Sequence, residues 1–405
     1  MLVVLGLILL AAAFAGLVLS FLQIGALLRH CAESPRQPSS CPKVSILKPL
    51  CGIDDGLAES LELFAALDYP AYELLLGVET ASDPAFPLAK ELEARHPARV
   101  RVVVQRGAPG LNPKVNQLIG LQAASSGEIV VISDSNARAE PRFLREIAAW
   151  LEDPEIGLVA HPVVGTGERS LGAALDNLHI STMGLGVVGA KRVSGMDFAI
   201  GKTMSLRRRD LERLGGFAAV KDVLAEDFVL CRWTSEKLGL KMAMARTPIE
   251  SVATRRTVGQ FYARYARWAV MHRMAVSKPT YLGELLLNPV LLALLGFLAW
   301  PTRWTFLAAA ALVVVRTAID QLATRLMRGR GFRLRHLAFS PFKDLLIGAA
   351  WLHGATHDRV LWRGHPLAVR SGTLLVRLGQ GEPLPESEPL DESSLPAAAG
   401  SPRHG

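Results

Sequence analysis

What this chain has little of narrows its class first. Four cysteines stand in 405 residues, Cys31, Cys41, Cys51 and Cys231, and their spacing offers neither a CxxC pair nor a metal-ligand framework. A disulfide scaffold is excluded, and reduced thiols in a cytosolic domain are expected. Aromatics make up 6% of the residues and do not interleave with the basic ones, so a net charge of +8 does not point to nucleic acid. No internal repeat is visible. Charge itself is missing from Met1 to Leu28. At about 1.5 Å per residue, a helix of that length crosses a hydrocarbon core of about 30 Å. No basic residue precedes the run, and it is longer than the roughly 7–15 apolar residues of a signal peptide, so it reads as a retained anchor.

Half of all residues are hydrophobic and the mean hydropathy is +0.26, an excess concentrated at the two ends. Basic residues sit beside apolar segments: Arg29, Arg36, Lys43 and Lys48 after the first, and Arg325, Arg328, Arg330, Arg333 and Arg335 after a later one. That is the cytoplasmic bias of residues next to a membrane, with attraction to anionic lipid added. The expected organisation is an anchor over 1–28, a polar proline-rich linker over 29–42 and a soluble-looking domain over 43–278. A transmembrane hairpin follows over 279–325, with arms Tyr281–Trp300 and Trp304–Ala323 and with Arg316 and Asp320 one turn apart, able to pair. Next come a basic loop, an interfacial or re-entrant helix near Leu337–Ala355 and a short strand within 326–378, then a disordered tail over 379–405 rich in Pro, Glu, Ser and Ala.

Within 43–278, Val44–Pro49, Tyr72–Val78, Val100–Val104 and Ile129–Ile132 read as strands. Leu57–Leu67, Phe86–His96 and Lys114–Ala124 read as the helices between them. The alternation predicts an α/β fold with a mostly parallel sheet and helices on both faces. Such sheets bind ligands beyond the carboxyl ends of their strands, where Asp83 and Asp134 fall. Asp134 has the chemistry to hold a divalent cation against a diphosphate; a helix cap near Pro141 is the competing use. Glu226-Asp227 opens a helix at Phe228, where Asp227 can act as a base and where both acids also suit capping. Arg264, Arg267 and Trp268, at i, i+3 and i+4, share a helix face fit for pyrophosphate or for anionic lipid. Gly110–Asn116, with Lys114, sets a loop and helix start suited to anions. His353, His357 and Asp358 have metal-like spacing without a third well-placed ligand, so interfacial side chains are the expectation there.

In family order these pieces resemble the ceramide glucosyltransferases, lipid-glycosylating members of the inverting GT-A superfamily and of family GT21. The resemblance runs from about Val44 to Gly372. It is carried by Lys48–Gly52, Leu67–Pro70, Ser82–Ala85, Gly110–Asn116, Ser133–Ser135, Val193–Met196, Ala225–Asp227, Arg264–Trp268 and Leu361–Gly364. It implies a GT-A (Rossmann-like) catalytic domain with transmembrane and interfacial helices, a UDP-sugar donor, normally UDP-glucose, and a membrane-lipid acceptor, most often ceramide. It also implies integral membrane residence with the catalytic domain on the cytosolic side, at the inner membrane in a bacterium. By the same resemblance Asp83 lies near the nucleoside and Asp134 at metal and diphosphate, while Lys114 and Glu226 help bind the nucleotide sugar. Asp227 is the base, and Arg264-x-x-Arg267-Trp268 is the (Q/R)xxRW element. A cation, Mg²⁺ or Mn²⁺, is implied, but Asn136 stands where many such enzymes have the second acid of DxD, which weakens the site. A hopanoid glycosyltransferase shares the same chemistry. A processive polysaccharide synthase would need more spanning helices, and a non-catalytic scaffold that kept the fold is the alternative outside enzymes.

Overall fold

The computed structural model describes residues 1–362 and 365–378; Arg363 and Gly364 of the late motif, and the tail over 379–405, lie outside the described residues. In chain order the strands are β1 (Val44–Pro49), β2 (Tyr72–Val78), β3 (Val100–Val104), β4 (Ile129–Ser133), β5 (Ala137–Arg138), β6 (Ile156–Ala160) and β7 (Val163–Thr166). They continue with β8 (Thr203–Arg207), β9 (Lys241–Met244), β10 (Ile249–Val252), β11 (Arg359–Trp362), β12 (His365–Val369) and β13 (Leu375–Arg377). A seven-stranded sheet runs β3-β2-β1-β4-β8-β6-β9. Its members pair in parallel except for β8, which is antiparallel to both neighbours. The mixed α/β architecture with a parallel-rich central sheet is therefore present.

Alternation along each strand divides the core in two. In β4, Val130 and Ile132 pack with Leu47 and Leu75 on one side, while Ile129 and Val131 pack with Ile46 and Leu74 on the other. Two apolar faces need cover on both sides, which is why the strands read as near-continuous hydrophobic runs. The helix Leu57–Ala65 supplies cover with Leu57, Leu61, Phe64 and Ala65. The helix Pro113–Ala124 starts where it does because Pro113 suits the first turn and Asn112 caps it, its Oδ1 accepting from the amides of Lys114 (2.9 Å) and Val115 (3.1 Å).

Two smaller sheets frame the large one. β5-β10-β7 lies beyond the carboxyl end of β4 in the chain, and β11-β12-β13 closes the carboxyl-terminal side. The latter is laced to the segment before Asp227: Leu224 N donates to Thr373 O at 2.8 Å and Leu375 N to Asp222 O at 2.7 Å. Thr373 holds φ at 63°, a costly left-handed conformation for a β-branched residue, retained where it meets this segment.

Two helices, Leu2–Ala32 and Arg303–Arg328, are long and apolar enough to cross a membrane. The first arm of the expected hairpin differs: Lys278–Leu287 and Pro289–Ala299 meet at a bend of 81°. Asn288-Pro289 explains the break, since proline disfavours helical geometry in the residue before it. Asn288 sits at φ −117°, ψ 65°, and caps the new helix through Leu291 N. The region expected to hold an interfacial helix contains Leu334–Leu337 and Ser340–Thr356.

Arg316 and Asp320 do pair, at 3.1 Å, and are buried. Lys343 of Ser340–Thr356 reaches the other Asp320 oxygen at 2.9 Å. Thr182 of the helix Leu171–Gly189 donates to Asp320 at 3.2 Å, and Arg316 donates to Ser20 of the first helix at 2.6 Å. One carboxylate thus ties the packing of four helices. Replacing it by Asp320→Ala leaves buried Arg316 without a carboxylate and Lys343 with Asp344 alone, 3.0 Å away, and is expected to cost about 3–5 kcal/mol of stability. Unfolding of the purified protein in detergent measures it; a loss below about 1 kcal/mol would show that the helices pack independently of this pair.

Candidate active site

The site is assembled from six segments that are distant in sequence. β4 ends at Ser133, and Asp134 follows it off the carboxyl end of the sheet. Asp134 does not cap the helix near Pro141, whose cap position is Arg142. Its two carboxylate oxygens meet two ammonium groups instead: Lys114 Nζ lies 3.0 Å from Oδ1 and Lys202 Nζ 3.0 Å from Oδ2. Lys114 comes from the first turn of Pro113–Ala124 and also reaches Glu226 Oε1 at 2.8 Å. Lys202 immediately precedes β8, where its carbonyl accepts from Asp134 N at 3.1 Å. Below them, Lys48 of β1 is fully buried; its Nζ donates to Asp134 O at 2.6 Å and lies 3.9 Å from the centre of the Phe64 ring.

The loop that carries Lys114 is fixed to the segment that carries the other acids. Asn112 N donates to Lys221 O at 2.9 Å, Leu111 N to an Asp222 carboxylate oxygen at 2.8 Å, and Asn112 Nδ2 to Val223 O at 2.7 Å. Glu226 and Asp227 then occupy the first turn of Glu226–Glu236, whose cap residue Ala225 contributes no side chain. Asp227 accepts from Phe228 N at 2.8 Å. Gly201 faces it so closely that a Cβ there would lie 2.3 Å from Asp227 Oδ2.

These environments set the charges. Burial would raise the Asp134 carboxyl, but Lys114 and Lys202 outweigh it and hold it well below the usual carboxylate range. Burial opposes charge on Lys114 too, yet Asp134 and Glu226 hold that ammonium above its usual value. Burial pulls Lys202 down, with Asp134 opposing, and pulls Lys48 down to about 7. Asp227 is pushed up to about 6, by burial first and by the neighbouring Glu226 charge second, with Lys114 opposing.

Asp134, Lys114, Glu226, Asp227, Arg264, Arg267 and Trp268 all line one cavity of about 1570 Å³. The helix Val258–Ala275 supplies the last three, its start fixed by a capping box between Thr257 and Gln260. Arg264 is held by Asp176, at 2.9 Å to Oδ2 and 3.2 Å to Oδ1, and lies 4.8 Å from the centre of the Trp268 ring. Asp83 is placed differently. It stands beyond the carboxyl end of β2, but its carboxylate is engaged by Gly52 N (2.9 Å) and Ala85 N (2.8 Å), and it does not line this cavity.

The sequence reading passed over several residues. Lys202 joins the cluster unannounced, and Lys48, read from the sequence as a basic residue beside the first apolar segment, is instead fully buried in β1 with its ammonium on Asp134 O. Asp176 holds Arg264. Asp54 and Asp55 line the cavity, and Asp55 accepts from Thr254 N at 2.7 Å. His353 and His357 stack on each other with ring centres 4.1 Å apart, and among the described residues no group of three or more His, Cys, Asp or Glu has the placement to hold a metal ion.

The cation expected at Asp134 is a separate test. Both Asp134 oxygens face ammonium groups, and Asn136 Oδ1 accepts from Lys202 Nζ at 2.8 Å. In this arrangement the residues do not fit a divalent cation, because the oxygens it needs are already taken by positive charge.

Residues 8–375 match the family model described as Glycosyl transferase family 21. Ceramide glucosyltransferase 1 of Caenorhabditis elegans is 26% identical over 245 residues, covering 59% of this chain and 52% of its own. Ceramide glucosyltransferase 3 of the same organism is 27% identical over 239 residues, 58% of this chain and 51% of its own. The chain therefore spans about half the length of these curated relatives. Among solved structures, the mannosyltransferase PcManGT from Pyrobaculum calidifontis, in complex with GDP-Man and Mn²⁺, aligns with a TM-score of 0.51 at 21% identity, over 88% of this chain and 99% of that one. That likeness shows the shared glycosyltransferase fold. Because Gly201 abuts Asp227, Gly201→Ala should displace this carboxylate, and with Asp227 as the base that the family resemblance implies, turnover should fall by up to about 10²-fold. Steady-state kinetics beside a melting curve check this, and unchanged turnover in a folded variant would remove the close approach from the catalytic argument.

Proposed function

The chain belongs to glycosyl transferase family 21, and from that premise we propose that it moves a hexose, most simply glucose, from a UDP-sugar to the hydroxyl of a membrane lipid such as ceramide, inverting the anomeric centre. One observation carries the reading. The cavity that holds Asp134 and Asp227 extends without interruption to Leu19 of the first helix, to Leu285 and Leu287 at the bent pair, and to Ile347 and Trp351 of Ser340–Thr356. A polar, charged end and an apolar end bounded by membrane-type helices suit a water-soluble donor meeting a lipid acceptor.

In this mechanism the donor diphosphate lies against Lys114 and the Arg264 face, beyond the carboxyl ends of β1 and β4. Asp227 takes the proton of the acceptor hydroxyl as its oxygen attacks the anomeric carbon. The bond from that carbon to the diphosphate oxygen breaks, and the negative charge left on UDP meets Lys114 and Arg264. The chain reads as an integral membrane protein with its catalytic region, residues 43–278, on the cytosolic side. Arg29, Arg325 and Arg328 in the last turns of the two long apolar helices support that side.

The test is transfer by the purified full chain in detergent from UDP-[¹⁴C]glucose to ceramide, with a hopanoid and a diacylglycerol beside it. Labelled ceramide is the expected product; label only in another lipid would move the acceptor, and none in any lipid would overturn the reading. Asp227→Asn should lose about 10²–10⁴-fold in turnover. Since Asp227 must be ionised to accept a proton, kcat/KM should fall as pH drops below about 6. Glu226→Gln removes one of the charges that raise Asp227, so its acid limb should move to lower pH. A limb that stays in place in Glu226→Gln would mean that another group titrates.

A further inference from the structure

Lys202 stands where the metal of such a site is expected. A divalent cation held by Asp134 and Asn136 would have to approach an oxygen of each to about 2.0–2.6 Å. Lys202 Nζ is already 3.0 Å from Asp134 Oδ2 and 2.8 Å from Asn136 Oδ1. Asn136 cannot readily turn away, because its Nδ2 donates to Val252 O at 3.0 Å, which aims Oδ1 at the lysine. Nor is Lys202 a loosely placed surface chain. It is 6% exposed, its carbonyl accepts from Asp134 N, and it lines the cavity. With Lys114 on the opposite oxygen, two ammonium groups together bring the formal charge of one divalent ion to a single carboxylate. A neutral Asn136 in place of a second acid fits this arrangement: an ammonium bridged between an acid and an amide needs one anion, where a divalent cation gains from two.

We propose that Lys202, clamped between Asp134 and Asn136 and working beside Lys114, takes the place of the divalent cation and neutralises the leaving nucleoside diphosphate, so that transfer needs no metal. The proposal rests on the donor reading above. The balance is that of the same displacement: the bond from the anomeric carbon to the diphosphate oxygen breaks, the electron pair stays on UDP, and fixed ammonium charge receives it with no proton transferred from the lysine.

The experiment uses the full chain in detergent, stripped with EDTA, with two probes. UDP binding is measured by titration calorimetry, and Mn²⁺ binding without nucleotide by electron paramagnetic resonance. Wild type should bind UDP within about twofold of the same affinity in EDTA and in Mn²⁺, and should leave Mn²⁺ free in solution. Lys202→Met should bind UDP roughly tenfold more weakly in EDTA, the scale of one charge-assisted contact. It should also take up Mn²⁺ at the vacated oxygens and recover UDP affinity with it. Lys202→Arg, which keeps the charge, should stay resistant to EDTA. Wild type that binds UDP only with Mn²⁺, or Lys202→Met that binds UDP in EDTA as wild type does, overturns the proposal. Should no protein bind UDP in any condition, the donor reading falls, and the Mn²⁺ signals still judge the lysine: a bound signal in wild type overturns it, and one confined to Lys202→Met supports it. If Lys202→Met does not fold by its melting curve, wild type and Lys202→Arg decide between the same two results.

Discussion

A single half-buried carboxylate holds the active region together. Asp134 separates two lysines that would otherwise face each other in a poorly solvated pocket, and each lysine carries the tie further. Lys114 extends it to Glu226 and the helix that begins there. Lys202 extends it to Asn136 and so to Val252 of β10. Four stretches that the chain visits far apart are thereby fixed by ion pairs whose removal on either side would strand a buried charge. The cost of assembling such a cluster is met during folding, so the charges stand in place before a ligand arrives. That is the condition under which fixed dipoles and charges are most effective in lowering a barrier.

The apolar half obeys the opposite logic. The first helix and Arg303–Arg328 expose Phe14, Phe21, Leu22, Trp304, Phe306 and Val314 outward, an apolar surface suited to lipid. Their buried faces carry Arg316 and Asp320, which pair with each other and with Lys343. Asn288, at the 81° break, lines the same cavity as Leu287 and Trp351.

How much of this could be read from the sequence follows from element length and period. β2 and β3, 7 and 5 residues long, fall where the strand patterns around Leu74–Leu76 and Val102–Val104 placed them, and the helix expected from Lys114 starts one residue earlier, at Pro113. β5, with 2 residues, and β7 and β10, with 4 each, carry no period to detect. The reversed strand β8 looks, as a sequence, like any buried strand, since direction leaves no local mark. Among site residues, Asp134, Asp227, Lys114 and Glu226 stand at strand and helix ends and converge on one cavity, which the mid-helix Arg264–Trp268 face also lines. Lys202 and Asp176 did not announce themselves, because their meaning lies in partners that only the folded chain supplies. Asp83 illustrates the reverse: its position at a strand end was legible, but its engagement by Gly52 and Ala85 amides was not.

Glu226 and Asp227 show how adjacent carboxylates at one helix start can be given different work. Both benefit from the positive end of the helix, so sequence position alone makes them equivalent. Side-chain direction separates them. Glu226 turns to Lys114 and to the amide of Asn112, 3.3 Å away, and its charge is spent on holding the loop. Among the described residues no ion pair reaches Asp227, which faces the cavity with Gly201 against one oxygen. Burial and the nearby Glu226 charge then leave it about two units above an ordinary aspartate, at about 6. A carboxylate raised that far is a stronger base than its neighbours and is still ionised near neutral pH, which is the compromise that proton abstraction asks of a base. The paired acid sets the position of the unpaired one, and the difference between them follows from which of the two the lysine can reach.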